Sequence, residues 1–315
     1  MSDTAPDTIP AVAPQAEAVQ YQLRRLAHQG EVAWLNQEVA RRLGSKLEMI
    51  KLVPSDWVHW NAWLGGGEEV VRAHYPEARR WVVEPTATLT QRSIERERQA
   101  APRAWWAPWR RNEQPVVESG APMPPAWPAS GANMLWANMT LHGATDLPGM
   151  LGQWSRLLAV DGFLMCSGLG PDTARELRAL YAELGWPLPT VDFIDMHDLG
   201  DALVAAGFAD PVMDMERLTL TWATAEELLA ELRTWGGNVA WGRFQGLRTP
   251  RWKRRLLEAL STHLRREDGR LGLTIELVYG HAIKPVPRVK VEAEARVSVD
   301  DMRQMIRQGG KPGPR

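Results

Sequence analysis

The stretch Asn133 to Asp172, NMLWANMTLHGATDLPGMLGQWSRLLAVDGFLMCSGLGPD, decides the fold. Asn133 to Ala137 and Phe163 to Cys166 are short apolar runs typical of buried strands. Between them, Asp146 to Leu158 repeats apolar residues at the spacing of one helix face, and Asp161-Gly162 predicts a tight turn. A strand, a helix and a second strand with a short return predict a parallel βαβ unit with a right-handed crossover.

Polar residues follow the first of these strands at alternate positions, as Asn138, Thr140 and His142. Ligands of open α/β sheets bind beyond the carboxyl ends of the strands. We therefore take Asn138 and His142 as candidate catalytic residues. His142 is equally consistent with a loop histidine that makes only local hydrogen bonds.

The segment upstream predicts a second βαβ unit. Trp57 to Trp63 reads as a strand, Leu64 to Gly67 as a glycine-rich turn and Glu68 to His74 as a short helix. Arg80 to Val83 is the next strand, and Glu84 ends it. Glycines let a backbone approach a ligand closely, but a tight strand-to-helix connection needs them equally. An acid at the end of such a strand is placed to accept hydrogen bonds from ribose hydroxyls.

Three runs carry a family resemblance: LWANMTLH with the residues that follow it, FIDMHDLGDALVAAGFADPVMDMERLTLTW, and DGRLGLTIELVYGHAIKP. They resemble class I S-adenosylmethionine-dependent methyltransferases, and more narrowly the malonyl-acyl-carrier-protein O-methyltransferases of biotin synthesis (BioC-type). The resemblance covers roughly Tyr21 to Pro285 and is most specific from Leu135 onward. It implies an α/β Rossmann-like sheet, mostly parallel with an antiparallel last strand, and a helical lid inserted before that strand.

The resemblance also implies S-adenosylmethionine as cofactor. Glu84 in WVVEP matches the family's ribose acid, but the first turn departs from the family pattern acidic-x-Gly-x-Gly-x-Gly. Trp60 stands at the acid, and Ala62 and Leu64 stand at the first two glycines. The cofactor-binding candidates are Gly65, Gly66, Gly67, Glu84 and Asn138.

This altered motif leaves three functions open. The first is methyl transfer to the free carboxylate of a malonyl thioester on acyl carrier protein. The second is a catalytically silent protein of the same fold that acts through protein interaction, and the third is another use of the cofactor, such as hydroxylation. Open space between Leu64, Glu84 and Asn138 favours an enzyme, whereas a Trp60 ring that fills this space favours the catalytically silent protein.

Methyl transfer to a carboxylate needs no general base, because the acceptor is already ionised at neutral pH. An arginine fork suits the substrate's carboxylate. The dense basic face of a predicted helix from Pro250 to Arg266 suits an acidic partner such as acyl carrier protein, although a solvated helix face explains it equally. The substrate-binding candidates are Arg175, Arg178, Arg243 and Arg248.

Composition excludes several classes of protein. The net charge of −1 gives no overall field that favours nucleic acid or a membrane surface. Cys166 is the single cysteine, so no disulfide framework exists, and the absence of a signal peptide or spanning segment predicts a cytoplasmic protein.

Asp195, His197 and Asp198 are too closely spaced for a metal site, and Asp198 is predicted to cap a helix. Sixteen tryptophans indicate an aromatic-rich core.

The predicted organisation has four parts. Residues 1–17 are expected to be disordered, and residues 18–50 form an N-terminal helical lid segment. Residues 51–283 form the methyltransferase-like domain with the inserted lid at 223–270, and residues 284–315 are expected to be a disordered tail. The basic and aromatic cluster from Trp105 to Arg111 is interpreted as surface rings covered by arginine side chains.

Overall fold

The computed structural model describes residues 13–100 and 115–286. One seven-stranded sheet lies in this part of the chain. Its strands are β1 (Asp56–Trp60), β2 (Arg79–Glu84), β3 (Val116–Glu118), β4 (Ala132–Ala137), β5 (Leu158–Leu169), β6 (Ala209–Trp222) and β7 (Leu271–Ile283). The order is β3-β2-β1-β4-β5-β7-β6, with β7 antiparallel to both of its neighbours and the other pairs parallel. The predicted fold class is confirmed.

Helices cover both faces of the sheet. They are α1 (Ala16–Leu26), α2 (Trp34–Ser45), α3 (Ala62–Gly65), α4 (Glu68–His74), α5 (Ala87–Ala100), α6 (Leu147–Leu157), α7 (Arg175–Glu183), α8 (Met196–Ala205), α9 (Ala225–Thr234) and α10 (Pro250–His263). Helices α2 and α4 contribute to one apolar cluster with β1, β4 and β5, and α6 and α8 contribute to a second cluster with the same strands. Helices α7, α9 and α10 form a third cluster with the start of β7.

Strand β1 shows why the sheet is buried on both faces. Trp57 lies in the first apolar cluster and Val58 in the second, and both are fully buried. Successive strand residues point to opposite faces, so a strand covered by helices on both sides reads as a continuous apolar run. Trp81, Trp136 and Trp154 are fully buried as well, so tryptophan fills much of the core, as the composition indicates.

Several predicted boundaries are wrong, each for a local reason. β1 ends at Trp60 rather than Trp63, because Asn61 takes a left-handed backbone (φ 54°) and starts α3. Asp161 does not form a turn between α6 and β5. It has a φ of 62° inside β5, where the pairing with β4 shifts register, so Asp161-Gly162 forms a bulge.

One predicted helix cap also differs, and an acid that precedes another helix does not cap it. Asp172 does not cap α7, whose first flanking residue is Ala174; the Asp172 carboxylate pairs instead with Arg217 at 2.7 Å. Asp195, not Asp198, caps α8 by accepting a hydrogen bond from the His197 N–H at 2.7 Å.

The N-terminal lid segment and the inserted helices are joined. The Gln15 N–H donates to the Val239 carbonyl at 2.7 Å, and the Trp241 N–H donates to the Ala13 carbonyl at 3.0 Å. The Arg25 guanidinium donates to the carbonyls of Arg233 (2.9 Å) and Gly236 (2.6 Å) at the end of α9. Helix α1 is therefore held to the end of α9 by the Arg25 side chain, and the residues before α1 are held to residues 239–241 by backbone hydrogen bonds.

Parts of the predicted organisation lie outside the described residues. These are most of the two chain ends predicted to be disordered and the cluster from Trp105 to Arg111. In the described ranges, no helix has the length and apolar character needed to cross a bilayer. The same ranges contain no group of three or more His, Cys, Asp or Glu side chains arranged for a metal ion.

Candidate active site

A cavity of about 430 Å³ lies beyond the carboxyl ends of β1, β2, β4 and β5. The strand ends contribute Trp60, Asn61, Pro85, Thr140 and Leu169 to its wall. Helices α1, α7 and α9 supply mostly apolar side chains on the other sides. Its position matches the ligand site that an open α/β sheet predicts, and its size suits a small ligand.

The Trp60 ring does not fill this cavity. Its ring packs edge-to-face against Trp154 of α6, with centroids 5.9 Å apart, and Trp60 is only 4% exposed. Asn61 follows it, and the Asn61 N–H donates to the Val83 carbonyl at 2.7 Å. Asn61 lines the cavity, and its Oδ1 is buried without a hydrogen-bond partner. A tryptophan at the family's acid position is thus compatible with an open site.

Glu84 ends β2 and is fully buried behind the cavity wall, which Pro85 lines; of Leu64, Glu84 and Asn138, only Leu64 is part of the wall. Its Oε1 accepts hydrogen bonds from the Trp63 N–H (2.8 Å) and the Ser93 hydroxyl (2.6 Å). Its Oε2 is buried and unpaired. Burial raises the pKa of Glu84 to about 7, although these two hydrogen bonds act in the opposite direction. The carboxyl therefore titrates near neutral pH and has one free acceptor atom.

The glycine turn is packed against protein. A Cβ atom at Gly65 would lie 2.6 Å from the Asn138 carbonyl oxygen, and one at Gly67 would lie 2.7 Å from Nε1 of Trp136. Gly67 also has a φ of 94°, which other residues rarely adopt. The turn therefore requires glycine for its own packing, and the adjoining cavity wall is formed by Asn61 and Leu64.

Asn138 lies behind the cavity wall, and its amide is fully paired. Its Nδ2 donates to the carbonyls of Asn36 (2.8 Å) and Gly65 (2.6 Å), and its Oδ1 accepts from the Ser167 hydroxyl (2.7 Å). The side chain is fully buried. This geometry makes Asn138 a brace between α2, the glycine turn and β5, and leaves no free polar atom for a ligand.

His142 lies in the cavity wall, in the one-turn 3₁₀ helix Leu141–Gly143 after β4. Burial lowers its pKa to about 4, so the imidazole is neutral at physiological pH. Its ring meets Phe193 edge-on, and its Nδ1 is buried without a partner. His142 therefore offers a neutral polar atom to the cavity.

Two of the candidate arginines lie in the first turn of α7, next to the loop that precedes this helix. Arg178 donates to the Thr173 carbonyl at 2.6 Å and to the Pro171 carbonyl, which fixes this loop to the helix. Arg175 has a side chain that is 56% exposed and lies 3.5 Å from Asp172. Neither side chain is part of the cavity wall.

The other two candidate arginines are on the inserted lid, also away from the cavity wall. Arg243 donates to Oε1 of Gln15 at 2.5 Å and to the Ala240 carbonyl at 2.9 Å. Arg248 lies over the rings of Phe244 and Trp252, 3.8 and 4.1 Å from their centroids. The structure does not gather the four arginines into one carboxylate-binding site.

These contacts predict different effects on stability for Arg175 and Arg178. Arg178→Ala is expected to lower the free energy of unfolding by about 1–2 kcal/mol, because two carbonyls lose a charged donor. Arg175→Ala is the matched control and is expected to change it by less than about 0.5 kcal/mol, because its pairs are exposed. Urea denaturation of both variants measures the difference, and equal losses would contradict this assignment.

Comparison with known proteins identifies the family, although no family model matches the chain. The chain is 37% identical over 266 residues to malonyl-[acyl-carrier protein] O-methyltransferase of Gallionella capsiferriformans, covering 84% of this chain and 88% of the relative. It is 35% identical over 285 residues to the enzyme of the same name from Laribacter hongkongensis, covering 90% and 92%. The chain belongs to the malonyl-[acyl-carrier protein] O-methyltransferase family. The resemblance inferred from the sequence is confirmed.

A solved structure supports the fold of this family member independently. The YcgJ protein from Bacillus subtilis aligns with a TM-score of 0.51 at 11% identity, covering 78% of this chain and 98% of that one. At this identity the match concerns the fold alone.

The sequence did not point to several residues in the cavity of this family member. Asn61 and Thr190 line the wall and each have a buried, unpaired oxygen, and Tyr181 of α7 is also part of the wall. Glu31 and Arg233 are the charged residues of the wall within the described part of the chain. Glu31 lies between α1 and α2, a segment whose sequence suggests packing only. Asn61 lies within the altered motif, directly after Trp60, but the motif gives no role to the residue at that position.

Proposed function

We propose that the protein transfers a methyl group from S-adenosylmethionine to the free carboxylate of a malonyl thioester on acyl carrier protein, a reaction of biotin synthesis. The open cavity beyond the strand ends, in a chain of this family, carries the proposal. The main observation that favours an enzyme over a catalytically silent protein is the position of the Trp60 ring, which packs on Trp154 and leaves the cavity open.

The residues around the cavity fit S-adenosylmethionine. Oε2 of Glu84 is a buried acceptor without a partner, which suits a ribose hydroxyl. Asn61 offers a second unpaired acceptor at the end of β1. When bound, the cofactor supplies an electrophilic methyl group on its sulfonium. In this proposal Asn138 and the three glycines shape the site without touching the cofactor.

The acceptor's carboxylate is already ionised, so the protein needs to align it and exclude water. Apolar residues dominate the wall, among them Met139, Leu169 and Phe193. His142 is held neutral by burial, so it does not repel a cationic sulfonium. Its unpaired Nδ1 and the Thr190 hydroxyl are placed to hydrogen-bond the acceptor's polar atoms. Arg233 is the positively charged residue of the wall in the described ranges, and we assign it to the acceptor's carboxylate.

Helix α10 is proposed as the docking surface for acyl carrier protein. Its inner face buries Leu256 and Leu260 in the cluster that also contains α9, whose Leu229 and Leu232 line the cavity. A carrier bound to α10 would thus lie near the cavity. The outer face is basic and exposed, which suits an acidic partner. Its cations are Arg251, Lys253, Arg254 and Arg255. The cytoplasmic location inferred from the sequence stays a prediction.

The test is a methylation assay with malonyl-acyl carrier protein and S-adenosylmethionine. We expect S-adenosylhomocysteine to form and the acyl chain to gain the mass of one methyl group. Acetyl-acyl carrier protein is the matched control, because it has the same carrier and thioester but no free carboxylate. No turnover of either substrate, with no cofactor binding, would indicate the silent protein instead.

Charge reversal on α10 tests the docking surface. Arg254→Glu with Arg255→Glu is expected to raise KM for malonyl-acyl carrier protein about tenfold or more at low salt, with kcat little changed. The reason is that these cations attract the acidic carrier while the two proteins associate and take no part in the chemical step. Arg79→Glu with Arg156→Glu makes the same change in net charge at exposed sites away from the cavity. An equal rise in KM for both pairs, or none for the α10 pair, would contradict docking on α10.

A further inference from the structure

In the family, the turn after the first strand approaches the methionine part of the cofactor, and in this chain that turn lacks its acidic residue. S-adenosylmethionine carries an α-ammonium group there, and a buried ammonium group needs acceptors. The family's acid position at the end of β1 is Trp60 in this chain, and its ring is committed to packing on Trp154. Another group must supply the missing acceptors.

Asn61 provides one of them. It is only 7% exposed, lines the cavity, and its Oδ1 has no hydrogen-bond partner. Its left-handed backbone and the hydrogen bond from its N–H to the Val83 carbonyl fix it directly after β1. An unpaired, buried amide oxygen at a cavity wall is costly unless a ligand donor satisfies it.

Glu31 provides the charge. Glu31 is exposed to solvent and is the acidic residue of the cavity wall within residues 13–100 and 115–286. It forms no salt bridge to another residue in those ranges. The segment that carries it packs on the altered turn. A Cβ atom at Gly66 would lie 3.0 Å from Val32 Cγ1, and Asn36 Nδ2 donates to the Leu64 carbonyl at 2.9 Å. The lid segment therefore presents a carboxylate beside the turn that lost its own.

We infer that the Glu31 carboxylate and Asn61 Oδ1 together accept hydrogen bonds from the α-ammonium of S-adenosylmethionine, in place of an acid at position 60. This inference rests on the proposed function. It moves the anionic acceptor from the sheet to the lid segment. Glu31 and Asn61 are binding residues here and take no part in proton transfer.

The test compares two ligands that differ at the amino-acid end. S-adenosylhomocysteine has the α-ammonium, whereas 5′-methylthioadenosine keeps the adenosine and sulfur but lacks it. Glu31→Gln is expected to weaken S-adenosylhomocysteine binding about tenfold in calorimetry and to leave 5′-methylthioadenosine binding unchanged. Glu77→Gln, an exposed acid outside the cavity wall, is the matched control and should change neither.

A rescue experiment separates a direct role from a structural one. Asn61→Asp in the Glu31→Gln background is expected to restore S-adenosylhomocysteine affinity, because it returns one carboxylate to the same place. Equal weakening of both ligands by Glu31→Gln, or no weakening of either, would overturn the inference. If the unaltered protein binds S-adenosylhomocysteine but does not methylate malonyl-acyl carrier protein, the proposed acceptor fails while this inference stands.

Discussion

Asn138→Ala is expected to lower the free energy of unfolding by about 3 kcal/mol, because it removes a side chain that is hydrogen-bonded at every polar atom. The carbonyls of Asn36 and Gly65 would lose their donor, and the Ser167 hydroxyl would lose its acceptor. All of these groups lie in or beside the buried glycine turn. Urea denaturation measures the loss.

Two further variants distinguish this brace from a ligand contact. Ser167→Ala removes the hydroxyl that donates to Asn138 and accepts from the Met139 N–H, and is expected to cost about 1–2 kcal/mol. Asn138→Asp keeps the shape but lacks the Nδ2 donor, so it should destabilise nearly as much as alanine. A stable Asn138→Ala protein that has lost cofactor affinity would show instead that Asn138 contacts the cofactor.

The sequence predicted the position of the inner strands because they contain short apolar runs, although β5 (Leu158–Leu169) is longer than the predicted Phe163 to Cys166. The predicted strand over Asn133 to Ala137 differs from β4 by one residue, and the predicted helix over Glu68 to His74 matches α4. The turn predicted at Asp161-Gly162 was wrong, because a residue pair that favours a turn also favours a bulge inside a strand. Only the pairing with β4 and β7 decides between them.

The candidate site was predicted less well, because its contacts join distant parts of the chain. Glu84 was found because an acid after an apolar strand is a local pattern. Arg178 was taken for a substrate ligand, yet its guanidinium binds loop carbonyls that the sequence does not place beside it. Asn61 was missed because a left-handed backbone at an asparagine cannot be read from its neighbours. Glu31 reaches the cavity only because the lid segment folds over the turn.

Cofactor affinity is expected to rise about tenfold between about pH 6 and about pH 8, because the Glu84 carboxyl, with a pKa of about 7, binds a ribose hydroxyl best when ionised. Arg80 and Arg96 are the nearby cations, and they favour ionisation without overcoming the effect of burial. Calorimetry with S-adenosylhomocysteine at both pH values measures the change. Glu84→Gln should remove most of this pH dependence and weaken binding at the higher pH.

Glu84→Gln is expected to weaken cofactor binding at high pH but to raise the free energy of unfolding there. Folded Glu84 holds its proton at pH values where the unfolded chain, with a pKa near 4.5, has lost it, so the free energy of unfolding falls as pH rises from about 4.5 to about 7. The full difference is about 3 kcal/mol. Glu84→Gln cannot ionise and should therefore be more stable than the unaltered protein at pH 8 and similar at pH 4.5. A variant that is less stable at pH 8 would mean that the carboxylate is stabilised by its surroundings. A variant that gains stability and loses cofactor affinity would show that this buried acid is kept for binding and not for folding.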